Sequence, residues 1–355
     1  HVDLSREDAT EAIVAQLAET AISTAFDLEA GPLMRMQLIK SGEERHVLLV
    51  TLHHIIADGW SMEVLIKEFY SLYTSFASGS PSDLASLRLQ YKDFSDWQHH
   101  QLRNSSVAGA GKYWLEQFAG DIPVLNLPYK HSRPAVKTFN GAWADLRLDA
   151  GTSDYLRKLS QDSDSSLFMT LVGAVNVLLY HYSGQDDIIV GTPIAGRDHN
   201  ELENQIGLYI NTLALRNKID GKASFKEFLA TVRTQLLGAY NHQHYPFDLL
   251  VEELNLERDL SRSPLFDVIV ELQKTSLGSQ ETNVLEGLTV SEYPFEKSFS
   301  KVDMRFSFDE SGEEIALWLE YNTDLFAQER IADMLNHFTS LLSALAQQSD
   351  ASIDG

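Results

Sequence analysis

Apolar residues recur at helical spacing over 10–24, through Ala12, Ile13, Val14, Leu17 and Ile22, and predict a short opening helix. Two apolar runs of strand length follow at 33–39 and 45–52, on either side of the charged stretch 41–44. That arrangement predicts an antiparallel hairpin. Across 62–76, Val64, Leu65, Phe69, Leu72, Tyr73 and Phe76 return to helical spacing. The stretch 53–61, HHIIADGWS, therefore lies on the turn between a strand and an amphipathic helix. If strand alternation continues, Leu48, Val50, Leu52 and His54 share one face and His53 points to the other.

Further along, 78–83 (SGSPSD) predicts a loop, and 91–102 and 112–118 predict aromatic-rich helices. The small, polar stretch 104–111 between them predicts a linker. The pattern then restarts. Strands are predicted over 142–148, 187–191, 205–216, 265–272, 304–309 and 315–321, and a Pro- and Gly-bearing loop over 192–199. Helices are predicted over 151–159, 165–182, 225–242 and 328–345, with Pro246 as a stop signal. This mixture predicts a layered α/β (α+β) architecture with a mixed sheet in each of two lobes, divided as 1–108 and 109–355.

Composition narrows the functional classes. The net charge of −23 argues against a nucleic-acid partner, since phosphate binding needs clustered Lys and Arg. No apolar run approaches the roughly 20 residues that a membrane-spanning helix needs, so no membrane role is expected. The first residues have neither the basic start nor the apolar core of a signal peptide. The absence of cysteine rules out disulfides and thiolate chemistry, and fits a cytoplasmic setting.

The turn at 53–61 holds the candidate chemistry. Histidines 53 and 54 with Asp58 offer three ligands at most, adjacent strand residues diverge, and HExxH is absent, so no metal site is predicted. No G-x-S-x-G elbow exists for a serine nucleophile. A structural histidine pair capping a helix is one reading. Against it, Gly59 lets the backbone approach a ligand closely. An imidazole without a nucleophile partner suits proton handling for a substrate's own nucleophile, that is, acyl transfer between two bound substrates. His54 is the candidate for that chemistry, and Asp58 for a structural ion pair. Ser61 is the candidate helix cap, and backbone N–H groups near Gly59 are candidates for oxyanion stabilisation. Tyr91, Phe94, Trp97, Tyr113 and Trp114 are expected in the core, and His242, Gln243 and His244 at a helix end.

HHIIADGWS resembles the HHxxxDG signature of the condensation domains of non-ribosomal peptide synthetases, shared with chloramphenicol acetyltransferase. Residues 45–48 resemble the family's lead-in strand, and YKDFSDWQ, at 91–98, its Y-x-D-[YF]-x-x-W motif. IGLYINTLALR (206–216), HQHYPFDLLVEEL (242–254) and RDLSRSPLFDVIVELQ (258–273) resemble three further family segments in the family's order. The resemblance implies two chloramphenicol-acetyltransferase-like lobes in a V-shaped pseudo-dimer with a tunnel between them. It implies amide-bond formation between a donor thioester and an acceptor amine, both on phosphopantetheine arms of carrier proteins. No cofactor is expected on the domain itself, and a neighbouring adenylation domain is an expected partner. His54 is then catalytic with Gly59, while His53, Asp58 and Ser61 are structural at the site. Asn211 and Trp60 line the tunnel, and 191–197 reaches from the second lobe over the first. His53 excludes the D-x-x-x-x-D pattern of heterocyclisation domains, and Gly59-Trp60-Ser61 departs from epimerisation domains. Rival readings are an acyltransferase using a free amine or alcohol, and a non-catalytic docking module. The family's opening motif, S-x-A-Q-x-R-[LM]-W, has no match before His53. The expectation is that the first strand and helix are missing, and that Asp58 lacks the Arg which that motif supplies.

Overall fold

The computed structural model describes residues 1–7, 10–103, 105–273, 283–285, 287–294 and 298–355. It divides into two compact units, and the first is discontinuous in sequence, joining His1–Gln98 with Arg197–Ile210 and a later hairpin.

In the first unit, β1 (Val2–Asp3) pairs parallel with β2 (Met34–Lys40), which pairs antiparallel with β3 (His46–Leu52), while α1 (Thr10–Ser23) precedes the hairpin. Leu4, Val14, Ile39 and Val47 form a small core with Leu49 packed against it. Val47 and Leu49 share one face of β3 by its period-2 alternation. The opposite face carries Met36, Leu38 and Leu48, all exposed. Helix α2 (Gly59–Ser78) ends on Gly79, whose φ of 67° suits a residue without a Cβ. α3 (Tyr91–Arg103) has no fully buried residue, so the expectation of a core helix fails there, and Trp97 is 46% exposed.

In the second unit, α4 (Ser105–Gln117) occupies most of the predicted linker. Asn104, the first residue of that stretch, lies outside the described residues. Gly111, at the end of that stretch, serves packing. A Cβ on Gly111 would stand 3.0 Å from the Tyr245 ring. Next come β4 (Gly141–Arg147), α5 (Ala150–Asp162), α6 (Leu167–Ser183), β5 (Asp187–Ile194) and β6 (Asn211–Lys218). Then follow α7 (Phe225–Asn241), α8 (Phe247–Leu254) and β7 (Val268–Gln273). The β8 (Asn283–Leu285) and β9 (Leu288–Val290) hairpin belongs to the first unit. β10 (Met304–Asp309), β11 (Ala316–Asn322) and α9 (Gln328–Gln348) complete the second. Its six strands run in the order β4-β11-β10-β7-β5-β6, with β7 parallel to both β5 and β10 and the other pairs antiparallel. Ile188, Ile189 and Val190 are all buried, as the continuous apolar run of β5 predicts. α6 starts on a Ser166 cap and buries every residue from Met169 to Leu179.

Several boundaries move for local reasons. The strand read over 205–216 begins only at Asn211, because the preceding residues belong to the first unit. β5 extends to Ile194, pairing it with Asn211. Pro246, expected only to stop a helix, stands at the start of α8, where its missing N–H costs nothing. Among the described residues, no single helix is long and apolar enough to cross a membrane.

Gly141 is required by close approach. A Cβ there would lie 2.4 Å from the carbonyl carbon of Phe299, a backbone atom that cannot swing aside. Gly141→Ala should destabilise the protein by about 1–3 kcal/mol, read as a lowered midpoint in denaturant unfolding. An unchanged midpoint would show that the edge of this sheet shifts freely.

Candidate active site

The turn is built from its two ends. β3 stops at Leu52, but the backbone N–H of His53 still donates to the Leu33 carbonyl (2.9 Å), extending the hairpin by one residue. Residues 54–56 then turn, with Ile56 N donating to the His53 carbonyl at 3.1 Å. Strand alternation therefore does not reach His54, and its direction is set by the turn. The His54 side chain is exposed.

At the other end, Asp58 has extended backbone angles (φ −114°, ψ −175°) and caps α2. Its Oδ1 accepts from the Ser61 backbone N–H (2.8 Å) and lies 2.7 Å from the Ser61 hydroxyl. The cap is thus Asp58, not Ser61 as the sequence suggested. Ser61 is the third helical residue, whose free N–H a capping side chain reaches. Gly59 opens the helix, and a Cβ there would meet nothing within 4 Å. Among the described residues, nothing within reach demands a glycine at that position.

Asp58 does not lack its cation. Arg197, 139 residues downstream, places Nη2 3.1 Å from Asp58 Oδ1 and 3.0 Å from Ser61 Oγ. Its Nη1 donates to the carbonyls of Leu202 and Gln205, and its guanidinium lies 4.1 Å from the centroid of the Tyr209 ring. The second carboxylate oxygen accepts from Tyr209 N at 3.0 Å. Both ionic side chains are almost fully buried, at 1% and 2% exposure. Ser61 Oγ accepts from Gly207 N at 3.1 Å and lies 2.9 Å from the Gly207 carbonyl. With one proton, it donates either there or to Asp58. Trp60 donates its indole N–H to Glu203 O (2.7 Å). The element joined to α2 is therefore 197–210, which begins where the predicted 191–197 arm ends. Nothing in sequence spacing marks Arg197. The one sequence-level signal for it is a buried carboxylate's need for a cation.

Aromatic packing reinforces this region. Tyr91 and Phe94 of α3 have ring centroids 5.2 and 4.6 Å from that of Tyr209, and Tyr91 Oη donates to Leu208 O at 3.0 Å. Gly207 permits the approach, since a Cβ would stand 2.3 Å from the Tyr91 ring. Burial pushes the Tyr209 hydroxyl up to about 12, with Arg197 opposing and Tyr91 and Asp58 adding.

In the second unit, Asn211 opens β6 with a fully engaged carboxamide. Its Nδ2 donates to Gln243 O and Tyr245 O, both at 2.8 Å, and its Oδ1 accepts from Phe247 N at 3.1 Å. These bonds hold the end of α7 to the start of α8. His242 stands at the C-terminus of α7, stacked on Tyr113 at 4.0 Å between centroids.

Burial opposes the charge on Asp58. The Ser61 hydroxyl, the N–H groups of Ser61 and Tyr209, and Arg197 outweigh it and hold the carboxyl below its ordinary value of 3.8. A carboxylate whose folded pKa is depressed stabilises the fold above its unfolded pKa and loses that contribution as pH falls through the folded one. Stability should therefore decline as pH drops below about 4, and Asp58→Asn should flatten that decline in unfolding measured against pH. At neutral pH, Arg197→Ala and Asp58→Ala should each cost about 3–5 kcal/mol, by leaving one charge buried alone. The double replacement should cost less than their sum, measured by a double-mutant cycle. Full additivity would mean the pair is not coupled. Activity should fall with stability in Asp58→Ala, and a loss of activity at normal stability would move Asp58 into the chemistry.

A family model described as "Condensation domain" matches residues 1–355. Tyrocidine synthase 3 of Brevibacillus parabrevis is 42% identical over 98% of this chain, and gramicidin S synthase 2 of Brevibacillus brevis is 41% identical over 96%. This chain spans only 5% and 7% of their respective lengths. Among solved structures, the X-domain from teicoplanin biosynthesis superposes with a TM-score of 0.88 at 26% identity, covering 99% of this chain and 79% of that one. A four-domain nonribosomal peptide synthetase bound to AMP and glycine gives a TM-score of 0.86 at 24% identity, covering 99% of this chain and 27% of that one. The mixed α/β fold of two acetyltransferase-like lobes, expected from the motifs, holds. With a condensation-domain family model matching residues 1–355 around an HHxxxDG turn, the chain belongs to the condensation domains of non-ribosomal peptide synthetases.

Proposed function

We propose that this chain forms amide bonds between a donor acyl or peptidyl thioester and the α-amine of an acceptor aminoacyl thioester, each carried on the phosphopantetheine arm of a carrier protein. An adenylation domain in the same synthetase would load those carriers. The observation that carries the reading is the turn itself. An exposed His54 lies between a strand end and a buried, fully bonded Asp58 cap, and the Ser61 hydroxyl beside it is buried and committed to Asp58, Gly207 and Arg197. That arrangement suits a reaction whose nucleophile arrives with the substrate.

The amine nitrogen attacks the thioester carbonyl, the C–S bond breaks, and the thiol leaves with the proton that the amine gives up. His54 accepts or orients that amine proton. Helix geometry leaves the N–H groups of Gly59 and Trp60 without intrahelical acceptors, while that of Ser61 is taken by Asp58. Those two donors, at the positive end of α2, suit the oxyanion that develops on the carbonyl. The open space around Gly59 fits a close approach of substrate to backbone. In this reading His53, Asp58 and Ser61 shape the turn, and Trp60 flanks the substrate path.

The docking reading draws on the X-domain, which one solved structure describes in complex with OxyB from teicoplanin biosynthesis. An assay with defined loaded carriers separates the two. Condensed product should form, and His54→Ala should reduce its rate by about 10²–10⁴-fold with unfolding unchanged. A rate unaffected by His54→Ala would remove the histidine from the chemistry. Carrier binding without product from the wild-type chain would favour docking, and preference for a free amine would favour a stand-alone acyltransferase.

A further inference from the structure

Within its own unit, the His54 ring has no hydrogen-bond partner among the described residues, so its direction depends on its backbone. That backbone is fixed by the residue before it. His53 Nδ1 accepts the N–H of Ile55 at 3.1 Å, while the His53 carbonyl accepts the N–H of Ile56 at 3.1 Å. A side-chain acceptor at one position taking the N–H two residues on is the bond that Asn or Asp makes at the first position of a β-turn. Here an imidazole nitrogen replaces the carboxamide oxygen, and His54 is the first of the two residues enclosed.

The His53 ring is itself held. Its edge meets Phe26 (centroids 5.8 Å apart, planes at 81°), and the Arg35 guanidinium lies 3.9 Å from the centroid of the Phe26 ring. Arg35 is fixed in turn by a bond to the Thr24 carbonyl. Its own N–H to Leu33 O anchors His53 to the end of β2.

We propose that His53 is a positioning residue for His54, acting through an unprotonated Nδ1 that locks the 53–56 turn. An amide N–H can only donate, so Nδ1 must hold a lone pair and the ring's proton sits on Nε2. The ring's packing on Phe26 sets its plane, and the nitrogen does the locking. This inference rests on the proposed role of His54.

Two replacements separate the nitrogen from the ring. His53→Asn keeps an acceptor at the same topological place and loses the ring, whereas His53→Phe keeps an aromatic edge for Phe26 and loses the acceptor. In the loaded-carrier assay, His53→Phe should lower kcat by about tenfold, the worth of one ordinary hydrogen bond, with KM for both carriers unchanged. His53→Asn should retain most of the wild-type kcat. A role confined to packing predicts the reverse order. The proposal is overturned if His53→Phe turns over like wild type, or if a folded His53→Asn is as impaired as His53→Phe.

A second measurement is independent of activity, and decides the matter if neither variant folds or the wild-type chain forms no product. In ¹⁵N spectra of the whole wild-type chain near neutral pH, His53 Nδ1 should resonate as an unprotonated imidazole nitrogen, and the Ile55 amide should be protected from exchange. A proton on Nδ1 would sink the idea, whether or not the chain condenses its substrates.

Discussion

A buried carboxylate has to be neutralised and fully hydrogen-bonded, or the fold that contains it is penalised by several kcal/mol. Asp58 meets that demand through three residues. Ser61 and Tyr209 supply their N–H groups and Arg197 its guanidinium, and the Ser61 hydroxyl, 2.7 Å away, shares its one proton between Asp58 and the Gly207 carbonyl. Arg197 faces the same demand from the other side and meets it with the Leu202 and Gln205 carbonyls and the Tyr209 ring. Two charges that are each costly alone therefore bind two distant pieces of chain, the start of α2 and the segment 197–210. Polar satisfaction fixes their relative placement more narrowly than apolar packing would, because each donor has a required direction.

The HHxxxDG stretch inherits its shape from that constraint. Its C-terminal end is immobilised at Asp58, and its N-terminal end by the hairpin bond from His53 to Leu33. The few residues between have room for one tight turn, closed by the carbonyl and ring nitrogen of His53. His54 is exposed at that turn without being loose, the combination a proton-handling side chain needs. Gly59 follows immediately, where helix geometry leaves backbone donors free and the absence of a side chain leaves them reachable.

Asn211 solves a comparable problem in the second unit. The connection from α7 to α8 turns over 242–245, leaving two carbonyls and an N–H to be satisfied away from regular structure. One carboxamide bonds all three. The family resemblance places Asn211 on the strand facing the tunnel, and a buried Asn between apolar residues needs hydrogen-bond partners. A primary amide with both donors and its acceptor committed to backbone meets that need.

By itself, the sequence determined the elements whose signals are local. The α1–β2–β3 order, the apolar α6, the buried β5 and the closing α9 follow from periodicity and caps, which act over a few residues. The ordered motifs determined the family, and with it the His54 turn. Tertiary structure alone decided what depends on contacts between distant residues. The partner of Asp58 is Arg197, the residues before Asn211 leave the strand for the first unit, and Gly111 packs a helix in place of loosening a linker. Asp58 rather than Ser61 caps α2, and β3 ends before His54. Periodicity records which side of an element is apolar, but a buried charge is satisfied by whichever donor the fold brings near. That donor's position in the chain leaves no trace in the spacing of its neighbours.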